Sequence, residues 1–333
     1  GHGARRVCRL LAVLGGLAAI GAILQRQITP GRVLGLLLPP TPSANPFGAF
    51  VNRNHFAAWL LMVAAPVAGY LIAHVHVHSE YRRSWRRAMR EALQSGSVFI
   101  AAAAVICAGT LLLTVSRSAL TGLGVACACG FLLMRSRLDG RRRARPLMIG
   151  VTGAALVVAL LFVDVDRWSA RLNSTFELTA AGGTRLNIWR ETVPIVQDFA
   201  LTGTGAGTFS DAMRKYQRTR IWVGSMREWL HFNNAHSHYL QIVAEGGLLL
   251  LLPALAAVAT FVAAAARAIR RDRTERAWMR AGAAAGLIGV AVQSIWEIPL
   301  AMPANAVLAA VLAALVVHER APAPADTPAE GIA

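Results

Sequence analysis

Residues 231–247 pass from a polar run carrying three histidines, His231, His236 and His238, directly into an apolar stretch. A neutral imidazole can take a hydroxyl proton near physiological pH, so His236 is a candidate general base for activating an acceptor hydroxyl. Zinc would need a third or fourth ligand in fixed geometry, and neither a cysteine nor an HExxH pattern supplies one. Metal chemistry is therefore not expected, and polar residues at a helix start are the plainer alternative for the histidines. Glu245 lies about two helical turns beyond His236, where it is protonated, paired or held by an internal hydrogen bond.

Arginines supply the second kind of chemistry. Arg185 and Trp189 fall one turn apart in a stretch, 185–199, with a helical pattern that Thr184 can cap and Pro194 interrupts. Arg190 follows. A guanidinium keeps its charge and offers paired donors, which suits phosphate, although an amphipathic helix lying on anionic headgroups would use the same residues. Arg117 sits in the short polar break Ser116-Arg117-Ser118 between two apolar runs. An arginine at membrane depth is a functional candidate, with snorkelling to the headgroups as its alternative. Gly203, Gly205 and Gly207 resemble a phosphate-cradling loop. They follow no predicted strand and lack the lysine and hydroxyl of a nucleotide-binding loop, so a tight turn explains them equally well.

The elements that must position these residues are membrane spans. A chain of 333 residues that is 55% hydrophobic, with mean hydropathy +0.48, cannot bury its apolar surface in one soluble core. Apolar runs of spanning or near-spanning length fall at 7–28, 55–78, 97–115, 118–134, 146–163, 239–266, 277–298 and 303–318. The fold class expected is an all-α polytopic bundle of about eight spans, the runs at 118–134 and 303–318 being short for a hydrocarbon core. Residues 1–163 supply five spans with an outer loop at 29–54. Residues 164–238 form one large polar loop, 239–320 supply three spans, and 321–333, rich in proline and alanine, form a disordered tail. The chain begins without methionine, and N-terminal spans are expected to be missing.

The formal net charge of +17 does not point to nucleic acid, because the arginines form clusters between apolar runs, at Arg5–Arg9, Arg82–Arg90, Arg135–Arg145 and Arg267–Arg280. The positive-inside rule puts all four in the cytoplasm, facing anionic lipid headgroups. The loops with the candidate chemistry then share the opposite face. His74, His76 and His78 become a cytoplasmic fringe. The cysteines, Cys8, Cys107, Cys127 and Cys129, all lie in apolar runs and imply no disulfide framework.

Four pieces in order resemble the O-antigen ligase and polymerase superfamily of bacterial membrane proteins. Asn52-Arg53-Asn54-His55-Phe56-Ala57 looks like the family's Asn-x-Asn-His-Phe-Ala start of a span, and Ser116-Arg117-Ser118-Ala119 like its Ser-Arg-Ser/Gly turn. Arg185-x-x-x-Trp189 with Leu201-x-Gly203-x-Gly205-x-Gly207-x-Phe209 is similar to the start of its outer loop. Ala235-His236-Ser237-His238-Tyr239-Leu240-Gln241 with Glu245-Gly246-Gly247 resembles its Ala-His-Asn-Asp-Tyr-Leu-Gln block and Glu-Gly. Ser237 and His238 replace the usual Asn-Asp pair.

The resemblance implies a membrane glycosyltransferase of the GT-C-like kind in the bacterial inner membrane, with its site facing the periplasm. The donor would be a polyprenyl-pyrophosphate-linked glycan and the acceptor a lipid A core sugar, another glycan or a protein hydroxyl. No metal or cofactor is implied. Catalytic roles go to His236 on the acceptor and to Arg117 and Arg185 on the pyrophosphate. Arg190, Trp189, Gly203, Gly205, Gly207, Asn54, His55, His238 and Glu245 line the substrates. A polysaccharide polymerase and a protein O-oligosaccharyltransferase are alternatives within the class. Outside it stands a transporter of an anionic substrate, which would place functional polar residues through the helices, where this chain has mostly Ala, Leu, Val and Gly.

Overall fold

The computed structural model describes residues 2–39, 44–78, 96–138, 182–220, 222–223 and 228–318. Nine α-helices run through these residues: α1 His2–Ile28, α2 Arg53–His78, α3 Ser97–Leu113, α4 Arg117–Leu138, α5 Gly182–Asp198, α6 Phe209–Tyr216, α7 His238–Arg271, α8 Arg276–Gln293 and α9 Pro303–Val317. A two-residue hairpin, β1 Trp222–Val223 with β2 Glu228–Trp229, and a 3-10 turn at Pro299–Ala301 complete them. Four stretches are long and apolar enough to cross a membrane: Gly3–Ile28, Arg53–His74, Arg117–Met134 and His238–Arg271. The run at 118–134 thus lies within a helix of 22 residues. The apolar helices α3 and α9, of 17 and 15 residues, are shorter. The span expected at 146–163 lies outside the described residues.

The core is built where α8 packs between α2 and α4. Small residues allow the approach. A Cβ on Gly282 would lie 2.5 Å from the Ala65 carbonyl oxygen, and one on Gly122 would lie 2.5 Å from that of Gly289. Backbones this close gain dispersion contacts that larger side chains would forbid, which is how helices associate when lipid removes the hydrophobic drive. Outward faces carry the opposite pattern. Leu10, Leu14, Leu17 and Leu24 of α1, and Leu249, Leu252, Leu255, Val258 and Val262 of α7, are exposed, as a hydrocarbon solvent favours.

Contacts fix which helix ends share a level. Arg5 pairs with Glu275, Arg9 Nε donates to Tyr70 Oη at 3.0 Å, and Arg280 pairs with Asp272 and donates to the His318 carbonyl. The described arginine clusters therefore share one end of the bundle. At the other end Arg26 donates to the Leu113 carbonyl at 3.1 Å, Gln293 Nε2 to that of Asn54 at 2.8 Å and Asn305 Nδ2 to that of His55 at 3.1 Å.

The polar segment between α4 and α7 contains a small core of its own. Ile188 and Ile195 of α5, Phe209 and Met213 of α6, Phe232, Ala235 and Ala244 are buried together. Pro194, expected to interrupt α5, instead lies inside a helix continuing to Asp198. Proline removes one backbone donor, and the buried Ile188 and Ile195 on either side of it hold the helix against α6. The helix also begins at Gly182, so Thr184 lies within its first turn rather than ahead of it.

Two further boundaries differ from the apolar runs. α8 ends at Gln293, five residues before the hydrophobic run does, leaving 294–298 as a linker. α7 extends for 34 residues but is broken at Gly247, whose φ of 56° and ψ of −159° are non-helical. The helical bonds that Leu248 and Leu249 would donate to Ala244 and Glu245 are replaced. Leu248 N donates to the Ala200 carbonyl (2.9 Å) and Leu249 N to that of Leu201 (3.1 Å). The freed carbonyls of Ala244 and Glu245 accept from Thr204 N (3.0 Å) and Gly205 N (2.9 Å). All four of these backbone groups thus keep a partner across the kink.

Candidate active site

His236 leads into α7 through an unusual backbone. Its φ is 48°, in the left-handed region that a non-glycine residue rarely occupies, and such conformations persist when the surroundings determine them. Those surroundings are visible. Trp189 Nε1 donates to the Ala235 carbonyl at 3.0 Å, Ala235 N to Gln241 Oε1 at 2.8 Å and His236 N to Asn234 Oδ1 at 3.1 Å. Ser237 is the N-cap of α7, accepting from Leu240 N. His238 N donates to the carbonyls of Ser294 and Glu297, at 2.9 and 3.1 Å, tying the head of α7 to the linker after α8.

That linker carries the residue that organises the site. Glu297 is 1% exposed, and its carboxylate gathers groups from three elements. Oε1 takes an ion pair from Arg185 of α5 and a hydrogen bond of 2.7 Å from Asn54 Nδ2 of α2, while Oε2 stands 3.9 Å from His236 Nδ1. His55 is buried within electrostatic range of both Glu297 and His236. A buried carboxylate needs such partners, because its desolvation is otherwise prohibitive. The expected residues Asn54, His55, Arg185 and His236 thus come together around an acid that the sequence reading passed over. Its signal was available: Glu297 is the lone acidic residue of the apolar run 277–298.

The other expected residues take different places. Arg117 opens α4 half-buried, between the buried Ser116 and Ser118, at the same end of the bundle as His236. Trp189 braces the loop before His236, Arg190 is exposed, and His231 Nε2 meets Ser210, 2.9 Å from its carbonyl. His238 is half-buried at the first turn of α7. Gly203 docks against the break in α7, where a Cβ would collide with the Glu245 backbone. Glu245 itself is held internally: its carboxylate accepts from Gly207 N at 3.1 Å, Phe209 N at 3.2 Å and Gln241 Nε2 at 2.9 Å. An anion does occupy the amides after the glycine run, and it is the protein's own carboxylate. Among the described residues no group of three or more His, Cys, Asp or Glu is placed to hold a metal ion.

Buried Gln293, Ser294 and Asn305 surround the Glu297 linker, so the walls of the site are polar where the rest of the bundle is apolar. Chemically the arrangement offers a solvent-reachable imidazole, 39% exposed, backed by a carboxylate, next to a guanidinium that is 31% exposed. That combination can accept a proton at one point and bind an anion beside it.

No curated protein matches the chain. Its residues 102–255, from α3 across the glycine loop and the His236 block into α7 beyond its break, match the sequence model of the O-Antigen ligase family.

Proposed function

We propose that the protein is a membrane glycosyltransferase that moves a glycan from polyprenyl pyrophosphate to an acceptor hydroxyl at the periplasmic face of the bacterial inner membrane. The observation that carries the reading is the convergence of His236 and Arg185 on buried Glu297, at the end of the bundle opposite the described arginine clusters. By the positive-inside rule that end faces outward.

In this mechanism His236 Nε2 takes the proton of the acceptor hydroxyl. The hydroxyl oxygen forms a bond to the anomeric carbon, and the bond from that carbon to the pyrophosphate oxygen breaks, its electron pair leaving with the polyprenyl pyrophosphate. Direct attack inverts the anomeric centre. Arg185 and Arg117, with Arg190 at the rim, stabilise the charge that develops on the leaving group, the largest requirement of such a step. Asn54, His55, Trp189, His238, Gly203, Gly205, Gly207 and Glu245 shape the surroundings, and no metal is needed when arginines supply the positive charge.

Glycan transfer by the purified protein tests this. A polyprenyl-pyrophosphate oligosaccharide is offered with lipid A core, a second lipid-linked glycan or a pilin-like protein, separately and with EDTA throughout. Product on one acceptor is expected and identifies it as ligase, polymerase or protein transferase. Product only when a divalent metal is restored overturns the metal-free mechanism, and no product on any acceptor overturns the reading.

A further inference from the structure

Glu297 has two demands on it. Its Oε1 neutralises Arg185, the cation expected to bind pyrophosphate, while its Oε2 faces His236, the base. A guanidinium fully engaged with an internal carboxylate is a poor phosphate ligand, and a carboxylate neutralised by arginine does little for a histidine 3.9 Å away. The His236–Glu297 separation exceeds hydrogen-bond length but lies within ion-pair range.

We propose that Glu297 is a positioning residue that exchanges partners during the reaction: it holds Arg185 while the donor site is empty, and yields it to the donor pyrophosphate so that its charge then acts on His236. The proposal rests on the transferase reading above. Exchange conserves charge. The arginine moves from a carboxylate to a phosphate, and the carboxylate left behind is compensated by the imidazolium that forms when His236 takes the hydroxyl proton. The base therefore gains strength only once the donor is in place, so an acceptor is not deprotonated against an empty site. Asn54 keeps Oε1 hydrogen-bonded throughout, preventing the acid from swinging after the departing arginine.

Of the other titratable groups, His55 from α2 interacts electrostatically with His236, Arg185 from α5 shares Glu297, and Glu245 acts on His238, two residues further along. Glu245 is tied to backbone amides, and His55 and His238 are themselves partly or fully buried. Among the described residues Glu297 is the acid placed to respond to both Arg185 and His236.

The test compares full-length wild type, Glu297→Gln, Glu297→Asp and Arg185→Gln. Glutamine retains an oxygen to accept from Asn54 and loses the charge. Glu297→Gln should lower kcat about a hundredfold without raising the donor KM, and should move the acid limb of the pH profile of kcat/KM for the donor, which reports the donor-free enzyme, to lower pH, because an imidazolium loses its anion. Arg185→Gln should raise the donor KM and move the same limb to higher pH, because the anion is no longer neutralised. Glu297→Asp should recover part of the rate. Limbs moving in the same direction, or an unmoved limb in Arg185→Gln, would overturn the exchange even if a Glu297 variant fails to fold.

A second readout needs no turnover. The titration of His236, followed by NMR on histidine-labelled protein and assigned with His236→Gln, should move to higher pH on adding inorganic pyrophosphate to wild type. It should not respond in Arg185→Gln. A response in protein that transfers no glycan would sink the transferase reading alone, whereas transfer with an unresponsive His236 would sink the exchange alone.

Discussion

Glu245 and Glu297 are both held at the polar end of the bundle, yet they are held differently. Glu245 accepts from two backbone amides and a glutamine on its own helix, partners fixed by the fold. Glu297 accepts from an arginine and an asparagine and faces a histidine, all side chains with other uses. A carboxylate satisfied by main chain is a fastener, since its partners cannot leave without unfolding. One satisfied by long or ionisable side chains can lose them to a ligand. Partner type, more than burial, separates the two roles.

The comparison can be broken, beginning with the largest expected effect. His236→Ala should cut transfer by about a hundred- to ten-thousandfold while membrane insertion and thermal stability stay at the wild-type level. Normal transfer by a well-expressed variant would remove the Glu297 side from catalysis. Gly203→Ala attacks the other side, forcing a Cβ into the Glu245 backbone at a positive φ of 68°. We expect a loss of about 3 kcal/mol in the thermal stability of the polar segment. Glu245→Gln should cost about 2 kcal/mol by weakening charge-assisted bonds to two amides, with activity recovering at lower temperature. Lost transfer at unchanged stability would instead make Glu245 a participant. Smallest, Ser237→Ala removes the cap of α7 and should cost about 1 kcal/mol, read as a lowered Tm. Orientation is checked separately by a cysteine at Arg117, which should react with an impermeant reagent from the periplasmic side. Labelling only from the cytoplasm would invert the topology.

Much of this was legible in the residues. Hydrophobic runs marked α1, α2, α4 and the body of α7, because lipid-facing helices announce themselves by composition alone. Asn54, Arg185 and His236, which lie together around Glu297, could be singled out because polar residues crowd short motifs around them. Glu297 was not, because a single acid near the end of an apolar run reads as part of the span until α8 is seen to stop at Gln293. The glycine run was ambiguous for another reason. Its partner, the break at Gly247, lies some forty residues away, and close backbone approach between distant segments leaves no periodic trace. Pro194 misled because local propensity was overridden by the burial of Ile188 and Ile195.

The break at Gly247 has a geometric consequence. Four backbone bonds lock the glycine loop to α7 on both sides of it, so the nine helical residues 238–246 form a rigid spacer, about 13 Å along its axis, between the joint and the site. For the transferase proposed above, such a spacer would set the height of the site against a donor anchored by its own lipid tail, a ruler cut to length by where one glycine leaves the helix.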